Sequence, residues 1–325
     1  MERYYRSFSS YLKERFGEKV YRVCLDAGFT CPNRDGTLGS SGCAYCAGAA
    51  SWTVGSSSDP AARETTAPWT PALGVPSLRA QVETGKEMAR RKHGARKFIA
   101  YFQAYTGTYG PAGRLREIYG SVLDGDDEFV ALAVGTRPDC VDEEKLGLLA
   151  SYIGRGLEVW VEYGLQTAND ETLALIGRGH SVHTFSNAVR AAHALGLKVS
   201  AHVIIGLPGE GRADVLRTAK TLGDLAVEGV KIHNLNILAG TRMAEWHAHG
   251  RVAPLPLRVY ASLVVDFLER LPPATVIERL VTDSDPRLLV EPRWSLNKLQ
   301  VLEEIRGEFA RRGSRQGMLR VRGEE

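Results

Sequence analysis

Short apolar segments alternate with longer stretches of helical spacing along most of the chain. The apolar segments are rich in β-branched residues and, after the first, recur about every 30–40 residues, the length of one βα unit. Strands that alternate with helices in this way form a parallel sheet, because each helix carries the chain back to the start of the next strand. The predicted strands are residues 19–26, 97–103, 129–135, 158–166, 198–206 and 231–238. The predicted helices between them are residues 77–93, 111–123, 142–155, 183–195 and 212–227.

The fourth predicted strand has two different faces, because alternate residues of a strand point to opposite sides of a sheet. One face is apolar and holds Val159, Val161, Tyr163 and Leu165. The other face holds Glu158, Trp160, Glu162, Gly164 and Gln166. A parallel strand covered on both sides is apolar throughout, so the second face is either a polar lumen or a set of strand ends exposed to water. The fold class we predict from six βα units is α/β, a TIM-like barrel or part of one, with a short C-terminal extension.

The pattern divides the chain into three parts. Residues 1–18 form an N-terminal lead, residues 19–250 the barrel, and residues 251–325 a C-terminal part with helices at 257–271 and 295–312 and a strand at 275–282. Residues 51–76 are rich in Ser, Thr, Ala and Pro. A structureless stretch of this length in a compact domain is either a lid or binding loop or a tolerated surface insertion.

Composition excludes several classes of protein. Hydrophobic residues make up 44% of the chain and charged residues 24%, and no apolar run is long enough to cross a membrane. The N-terminus has no apolar signal-peptide core, so we expect a cytoplasmic protein with reduced thiols and no membrane partner. Five cysteines, an odd number, argue against a disulfide framework. A net charge of +3 does not by itself indicate nucleic-acid binding.

Three of the five cysteines lie in one loop, CPNRDGTLGSSGCAYC, after the first predicted strand. Eleven residues separate Cys31 from Cys43, and two separate Cys43 from Cys46. Thiolates grouped on loop backbone usually bind zinc or an iron–sulfur cluster. A closed zinc site needs a fourth ligand, for which only Cys24 in the strand is close in sequence, whereas three ligands leave one position of a cluster open. The loop follows a strand, so it lies at the C-terminal mouth of the barrel, where active sites gather.

At these residues the sequence resembles the radical S-adenosylmethionine (radical SAM) superfamily, whose members carry three cysteines after the first strand of a partial (β/α)6 barrel. The 11-residue spacing resembles the branch that contains the catalytic subunit of the elongator complex. A barely characterised bacterial family is still more similar, through DAGFTCPNRDGT, AYFQAYTGTY, GTRPDC, EYGLQTANDETL, RGH and WSLNKLQVL. The resemblance covers nearly the whole chain and implies a [4Fe–4S] cluster and S-adenosylmethionine (SAM) as cofactors.

The resemblance also implies roles for particular residues. Cys31, Cys43 and Cys46 match the cluster ligands, and the open iron of the cluster binds the amino and carboxylate groups of SAM. The residues that match SAM contacts, or lie beside them, are Tyr45, Gln103, Glu162, Gln166, Arg178, Gly206, Gly209 and Gly240. The second strand departs from the family pattern, because residues 104–108 replace the Gly-Gly-Glu-like motif that binds the SAM amino group.

Two further residues are candidates for catalysis. Cys140 follows the third predicted strand on the catalytic side, where its thiol could donate hydrogen or simply pack. His202 falls on the predicted lumen face of the fifth strand, within reach of cofactor or substrate. A basic run that could contact phosphate or form a solvated helix end consists of Arg90, Arg91, Lys92, Arg96 and Lys97.

The resemblance implies an enzyme in which a one-electron donor such as flavodoxin or ferredoxin reduces the cluster, SAM yields a 5′-deoxyadenosyl radical, and that radical takes hydrogen from a substrate. The elongator-like motifs imply tRNA as a partner and a modified wobble uridine as the substrate. The resemblance to the bacterial family implies that a carboxymethylaminomethyl group is trimmed towards aminomethyl. A small metabolite is the alternative substrate. Two other classes of protein stay open: a zinc-binding module that adds Cys24 to the loop cysteines, and an interaction protein without turnover.

Overall fold

The computed structural model describes residues 4–48 and 76–320, and a parallel sheet lies at its centre. The strands are β1 (Val20–Leu25), β2 (Lys97–Phe102), β3 (Phe129–Thr136), β4 (Glu158–Gln166), β5 (Lys198–Ile205), β6 (Gly229–Asn234), β7 (Ile237–Leu238), β8 (Val276–Arg279) and β9 (Leu289–Glu291). Within the described ranges, seven strands pair in the order β1-β2-β3-β4-β5-β6-β8, and β7 pairs with β9 in a separate antiparallel sheet. The predicted α/β partial barrel is confirmed, and β8 adds a seventh parallel strand beside β6.

Except for the first and the last, the helices lie where the chain returns from the end of one strand to the start of another. They are α1 (Phe8–Phe16), α2 (Leu78–His93), α3 (Ala112–Leu123), α4 (Glu143–Ser151), α5 (Asp170–Leu175), α6 (Val182–Ala194), α7 (Arg212–Asp224), α8 (Arg242–Ala248), α9 (Leu257–Leu268) and α10 (Lys298–Arg312). Side-chain oxygens of Ser77 and Ser181 cap the first turns of α2 and α6. Gly94 ends α2 at a φ of 62°, a left-handed conformation that glycine adopts without strain.

The two faces of β4 pack against different partners, as their alternation predicted. Val159, Val161 and Leu165 lie in the main core between the sheet and the outer helices. Trp160 lies on the opposite face, in a smaller apolar core inside the barrel. Glu162 shares this inner face and is 1% exposed. Because a buried carboxylate is stable only with partners, the lumen has to supply positive charge at this level.

Helix α1 closes the N-terminal end of the barrel. The Tyr11 hydroxyl donates to Glu158, the first residue of β4, and the Tyr11 ring packs edge-on to Trp160 at 5.7 Å between centroids. Lys198, the first residue of β5, pairs with Glu158 at 2.7 Å. In the described sheet β1 and β8 form the two edges, and Ser7 bridges to β8 in place of β1. The barrel is therefore incomplete, with one end covered and the other at the strand C-termini.

The basic run lies at the covered end of the barrel. Helix α2 ends at His93, and Lys97 begins β2 beside Val20, the first residue of β1. Arg90 pairs there with Glu128 at 2.5 Å. The run is therefore a solvated helix end, far along the strands from the loop cysteines, and a phosphate contact next to those cysteines is not available to it.

Two other expectations concern the chain outside the sheet. Residues 51–75, which make up nearly all of the coil predicted as a lid or an insertion, lie outside the described residues. Across residues 4–48 and 76–320, no helix combines the length and the apolar character needed to cross a membrane.

Candidate cofactor site at the mouth of the barrel

A cavity of about 200 Å³ lies at the C-terminal ends of the strands, and we call it the cysteine cavity. Its walls come from the ends of several strands and the loops after them, since parallel strands end at the same edge of a sheet. The sequence-predicted residues that line it are Cys31, Cys43, Tyr45, Cys46, Gln103, Glu162, Gln166, Arg178 and His202. The fold thus brings the three loop cysteines together with most of the residues predicted to bind SAM.

A second cavity of about 290 Å³ shares walls with the first, and we call it the adjoining cavity. The residues that line both are Tyr45, Cys46, Tyr105, Gln166 and His202. Its other polar lining residues come from β6, the turn between β6 and β7, and the segment after β8, and they are His233, Asn234, Asn236, Thr282, Asp283, Ser284 and Asp285. The two carboxylates are paired, Asp283 with Lys298 and Asp285 with Arg287. These walls therefore offer hydrogen bonds rather than excess charge.

The cysteine loop is held by backbone hydrogen bonds rather than by a helix or strand, as its Gly- and Ser-rich composition predicted. The Arg34 amide donates to the Cys31 carbonyl at 2.8 Å, and the Cys46 amide donates to the Cys43 carbonyl at 2.9 Å. The Ala44 amide donates to the carbonyl of the residue that follows α5, at 2.8 Å. The loop is thus fixed to the C-terminal end of the barrel at the position of Cys43.

Cys43 lies among hydrogen-bond donors. Asn33 Nδ2 is 3.3 Å from Cys43 Sγ, and Arg178 Nη1 is 3.7 Å from it. The other nitrogens of Arg178, Nε and Nη2, donate to the Gly164 carbonyl. Burial alone would raise the pKa of the Cys43 thiol, but the charge of Arg178 and the amide of Asn33 hold it below its usual value. Cys43 is therefore disposed to be a thiolate, the form that binds metals.

Two further arginines line the cavity with the other two loop cysteines. Arg34 Nη2 is 3.6 Å from Cys46 Sγ and 2.9 Å from the Cys46 carbonyl oxygen. Arg137 lines the same cavity as Cys31 and is 2% exposed. It binds Asp139 through Nε and Nη2, at 2.9 and 2.8 Å. Arg137 Nη1 and Arg34 Nε are buried and have no hydrogen-bond partner among the described residues.

Cys24 is placed apart from the loop cysteines. It lies on β1 in register with Tyr101 of β2, and it is absent from the described lining of the cysteine cavity. Among the residues that the structure describes, no three His, Cys, Asp or Glu side chains converge in the way that one metal ion requires. A structural zinc site needs four donors around one ion, and Cys24, the fourth donor of the zinc alternative, is not among the described residues that line the cavity of the loop cysteines. In an iron–sulfur cluster each thiolate binds a different iron, so the thiols do not have to converge on one point.

Below the cysteine cavity, the barrel holds a buried group of charged residues. Glu162 Oε2 accepts hydrogen bonds from Tyr101 Oη at 2.6 Å and from His202 Nε2 at 3.0 Å. Lys231 pairs with the same carboxylate, and Arg22 Nη2 lies 3.7 Å from Glu162 Oε1. Burial alone would raise the pKa of Glu162, but the Lys231 charge and the His202 hydrogen bond hold it well below its usual range. Glu162 is thus an acceptor only, and His202 donates to it.

His202 connects this charged group to both cavities. Burial, together with the charge of Lys231, lowers the pKa of His202, so its imidazole is neutral near pH 7. Because Nε2 carries the proton that Glu162 accepts, Nδ1 has a lone pair. His202 can therefore accept a hydrogen bond or a proton from a molecule in the cavities.

Four of the sequence-predicted residues line neither cavity. Gly206, Gly209 and Gly240 lie in the connections after β5 and β7, with φ values of 100°, 78° and 76°. These left-handed conformations shape turns for which glycine is the suitable residue. Cys140 is 7% exposed, and burial together with Asp139 raises the pKa of its thiol to about 12. In contrast to Cys43, Cys140 is disposed to remain protonated.

Several residues of the site were not singled out from the sequence. Asn33 and Arg34 lie between the loop cysteines, and Arg137 lies in the GTRPDC segment. One signal could have found these three residues. Each lies in or directly after a segment that was already predicted to reach the mouth of the barrel. Lys231 gave the clearest signal, because a lysine between a valine and an isoleucine on a predicted inner strand needs a buried partner.

Comparisons with known proteins agree with this architecture. A model of the radical SAM superfamily matches residues 31–222, and a model of the radical SAM C-terminal domain matches residues 227–311. The uncharacterized protein YtqA of Bacillus subtilis (strain 168) is 39% identical over 324 residues, which cover 100% of this chain and 95% of that protein. A tRNA uridine(34) acetyltransferase of Dehalococcoides mccartyi (strain CBDB1) is 27% identical over 175 residues, 53% of this chain and 37% of that protein.

A solved structure shares the fold over most of the chain. The archaeal Elp3 of Methanocaldococcus infernus, with an N-terminal deletion, superposes with a TM-score of 0.64 at 22% sequence identity. The match covers 73% of this chain and 59% of the archaeal chain. The superfamily model spans more than half of this chain, from the first loop cysteine to the end of the helix before β6. The chain belongs to the radical SAM superfamily.

Proposed function

We propose that this protein is a radical SAM enzyme that holds a [4Fe–4S] cluster through Cys31, Cys43 and Cys46 and binds SAM beside it. When bound and reduced, such a cluster supplies the electron that cleaves SAM to methionine and a 5′-deoxyadenosyl radical, which takes a hydrogen atom from a substrate. The proposal extends family membership to particular residues of this chain.

The observation that carries the proposal is the meeting of three thiols and three guanidinium groups around one cavity. The residues present fit an anionic cluster. Cys43 is disposed to be a thiolate, and buried N–H groups of Arg34 and Arg137 have no partner among the described residues. A cluster in this cavity would give those two donors sulfur acceptors, and it would balance their positive charge.

Within this proposal, the chain itself binds and orients SAM. Tyr45, Gln166 and His202 line both cavities, so a molecule that extends from one cavity into the other would contact all three. Gln166 adopts a φ of 76°, which is strained for a residue with a side chain and supports a functional position. Arg178 lies between Cys43 and the Gly164 carbonyl, where it is available to a carboxylate in the cavity.

For the substrate, we propose the side chain of a modified tRNA wobble uridine, trimmed from carboxymethylaminomethyl towards aminomethyl. The support is the partial similarity to a tRNA uridine(34) acetyltransferase and the similar fold of the archaeal Elp3. A small metabolite is the second candidate. The position of the basic run at the covered end of the barrel favours it, because that run is not available to phosphates at the mouth.

The test combines reconstitution with nucleoside analysis. Anaerobic reconstitution of the full chain should give a brown protein with four irons, and SAM plus reductant should then yield 5′-deoxyadenosine. Mass spectrometry of tRNA nucleosides from cells with and without the protein should show carboxymethylaminomethyluridine accumulating in its absence, in a background that lacks other routes. Cleavage of SAM with an identical nucleoside profile would favour the metabolite, whereas a colourless protein without iron would contradict the proposal.

A further inference from the structure

Three arginines line the cysteine cavity together with the three loop cysteines. Arg178 Nη1 lies 3.7 Å from Cys43 Sγ, and Arg34 Nη2 lies 3.6 Å from Cys46 Sγ. Arg137 shares the cavity wall with Cys31. The three guanidinium groups come from different parts of the fold: the cysteine loop itself, the turn after β3, and the segment after α5. They therefore approach the same space from different directions.

These arginines carry positive charge that nearby carboxylates balance only in part. Arg137 pairs with Asp139 at 2.8 Å. Arg34 and Arg178 have no carboxylate within ion-pair distance among the described residues, and their partners are carbonyl oxygens and cysteine sulfurs. The arginine shell, meaning Arg34, Arg137 and Arg178, thus leaves two positive charges without a carboxylate partner. Burying unbalanced charge is costly unless an anion occupies the cavity.

Two nitrogen atoms of the arginine shell are buried donors without an acceptor among the described residues. Arg137 Nη1 is buried on a residue that is 2% exposed, and it has no hydrogen-bond partner among the described residues. Arg34 Nε is also buried and lacks a hydrogen-bond partner in the described part of the chain. A buried N–H group without an acceptor is destabilising, and each of these two gains a partner when an acceptor enters the cavity. The sulfide and thiolate sulfurs of a cluster are acceptors of that kind.

Resting on the function proposed above, we propose that Arg34, Arg137 and Arg178 form a cationic shell that raises the reduction potential of the cluster held by Cys31, Cys43 and Cys46. Reduction adds one negative charge to a group that is already anionic. Fixed positive charges and N–H donors stabilise the more negative form more strongly, and hydrogen bonds to the sulfurs together with net charge are known to set cluster potentials. In this role the arginines act on the substrate only through the cluster, since the chemistry belongs to the cofactor.

The experiment is a redox titration of the reconstituted full-length protein, followed by the electron paramagnetic resonance signal of the reduced cluster. Arg34→Gln removes a half-buried guanidinium without breaking an ion pair, and Arg137→Met removes the buried one. Arg34→Lys keeps the charge while losing the planar donor group. Arg311→Gln is the control, because Arg311 lies on α10 and pairs with Glu304 and Glu308 at the surface.

We expect Arg34→Gln and Arg137→Met each to make reduction at least tenfold less favourable, a downward shift of about 59 mV for one electron. Arg34→Lys should recover more than half of the shift, and Arg311→Gln should show none. Should Arg137→Met fail to fold, Arg34→Gln alone decides. Unchanged potentials at full iron content would overturn this inference while leaving the proposed function intact. A wild-type chain that takes up no cluster would overturn both.

Discussion

The Nε2 atom of His202 lies 3.0 Å from Oε2 of Glu162. This hydrogen bond joins a residue that lines both cavities to the carboxylate that balances Lys231. On its other side the His202 ring stacks on His233, with 5.3 Å between ring centroids. Burial and the charge of Lys231 lower the pKa of His202, and burial, together with the repulsion that two protonated rings would feel, lowers the pKa of His233. Both imidazoles are thus kept neutral in the folded protein.

We expect the free energy of unfolding to fall as the pH is lowered from 7 to 5. Unfolded imidazoles bind protons below about pH 6.5, whereas folded His202 and His233 do so only at lower pH. Burial likewise lowers the pKa of His180 to about 4. The unfolded state then binds more protons, so stability is lost towards acid pH. Urea unfolding at several pH values measures the slope, which His202→Gln should reduce and the exposed-site variant His249→Gln should not.

Lys231→Met should lower the free energy of unfolding by about 3–5 kcal/mol, because it removes the nearest cation from a buried carboxylate. Lys231 pairs with Glu162, and both side chains are at most 2% exposed. Lys220→Met is the matched control, since Lys220 pairs with Asp224 at the surface and should contribute less than about 1 kcal/mol. Adding Glu162→Gln to Lys231→Met should recover part of the loss. Equal effects of the two single variants in urea unfolding would contradict the buried pairing.

Gly164→Ala should weaken SAM binding about tenfold or more while leaving the iron content unchanged. A Cβ atom at this position would lie 2.5 Å from Arg178 Nη2 and 2.6 Å from Gln166 Nε2. Both side chains would have to move, and loss of one charge-assisted hydrogen bond is worth roughly 1.5–3 kcal/mol. Gly154→Ala is the control, because its Cβ would enter open space. Equilibrium dialysis with SAM compares the two, and equal affinities would refute the placement of SAM beside Arg178.

Alanine in place of Cys31, Cys43 or Cys46 should abolish cluster binding, whereas Cys24→Ala and Cys140→Ala should retain it. The three loop cysteines line one cavity, and the other two do not. Iron and sulfide counts after anaerobic reconstitution provide the measurement. If Cys24→Ala loses iron and Cys31→Ala keeps it, the proposed ligand set is wrong.

If tRNA is the substrate, charge reversal at the covered end of the barrel should not affect its binding. Arg91→Glu with Lys92→Glu changes the end of α2, opposite the cavities. Arg293→Glu with Lys298→Glu changes the segment after β9, beside the adjoining cavity. The second pair should reduce the slope of log affinity against log salt by roughly 0.7–0.9 for each phosphate that the variant no longer binds. If the slope fell for the first pair alone, the RNA would bind at the covered end of the barrel, away from the cavities. That result would contradict the prediction.

The strands and their faces could be predicted because each signal is local. The alternation in β4 predicts that Trp160 and Val161 point to opposite faces. In the barrel they lie in two different apolar cores. Helices α5 and α8 were not predicted, since six or seven residues are too few to show helical spacing. Helix α1 was predicted only as part of an N-terminal lead, because its docking on Trp160 depends on residues far along the chain.

The partners of buried charges could not be predicted, because pairing across the lumen joins distant parts of the sequence. Glu162 and Lys231 are 69 residues apart, and the sequence alone does not show which lysine or arginine reaches the carboxylate. Arg137 is similar, since an arginine beside a proline in a turn is usually exposed, yet this one is 2% exposed. The position of the basic run could have been predicted from the sequence, because the run precedes and begins the second predicted strand. Residues that precede a strand lie at the opposite end of the barrel from residues that follow it.

Helix α1 has a consequence for the order in which molecules enter and leave. Because Tyr11 and its neighbours cover the N-terminal end of the barrel, and the two cavities share walls at the C-terminal end, both cavities lie on the same side among the residues that the structure describes. A macromolecule seated over that side would hold a small cofactor in place until it departs. Replacement of a spent cofactor would then wait for dissociation of the larger partner, so residence time could limit the number of turnovers per encounter.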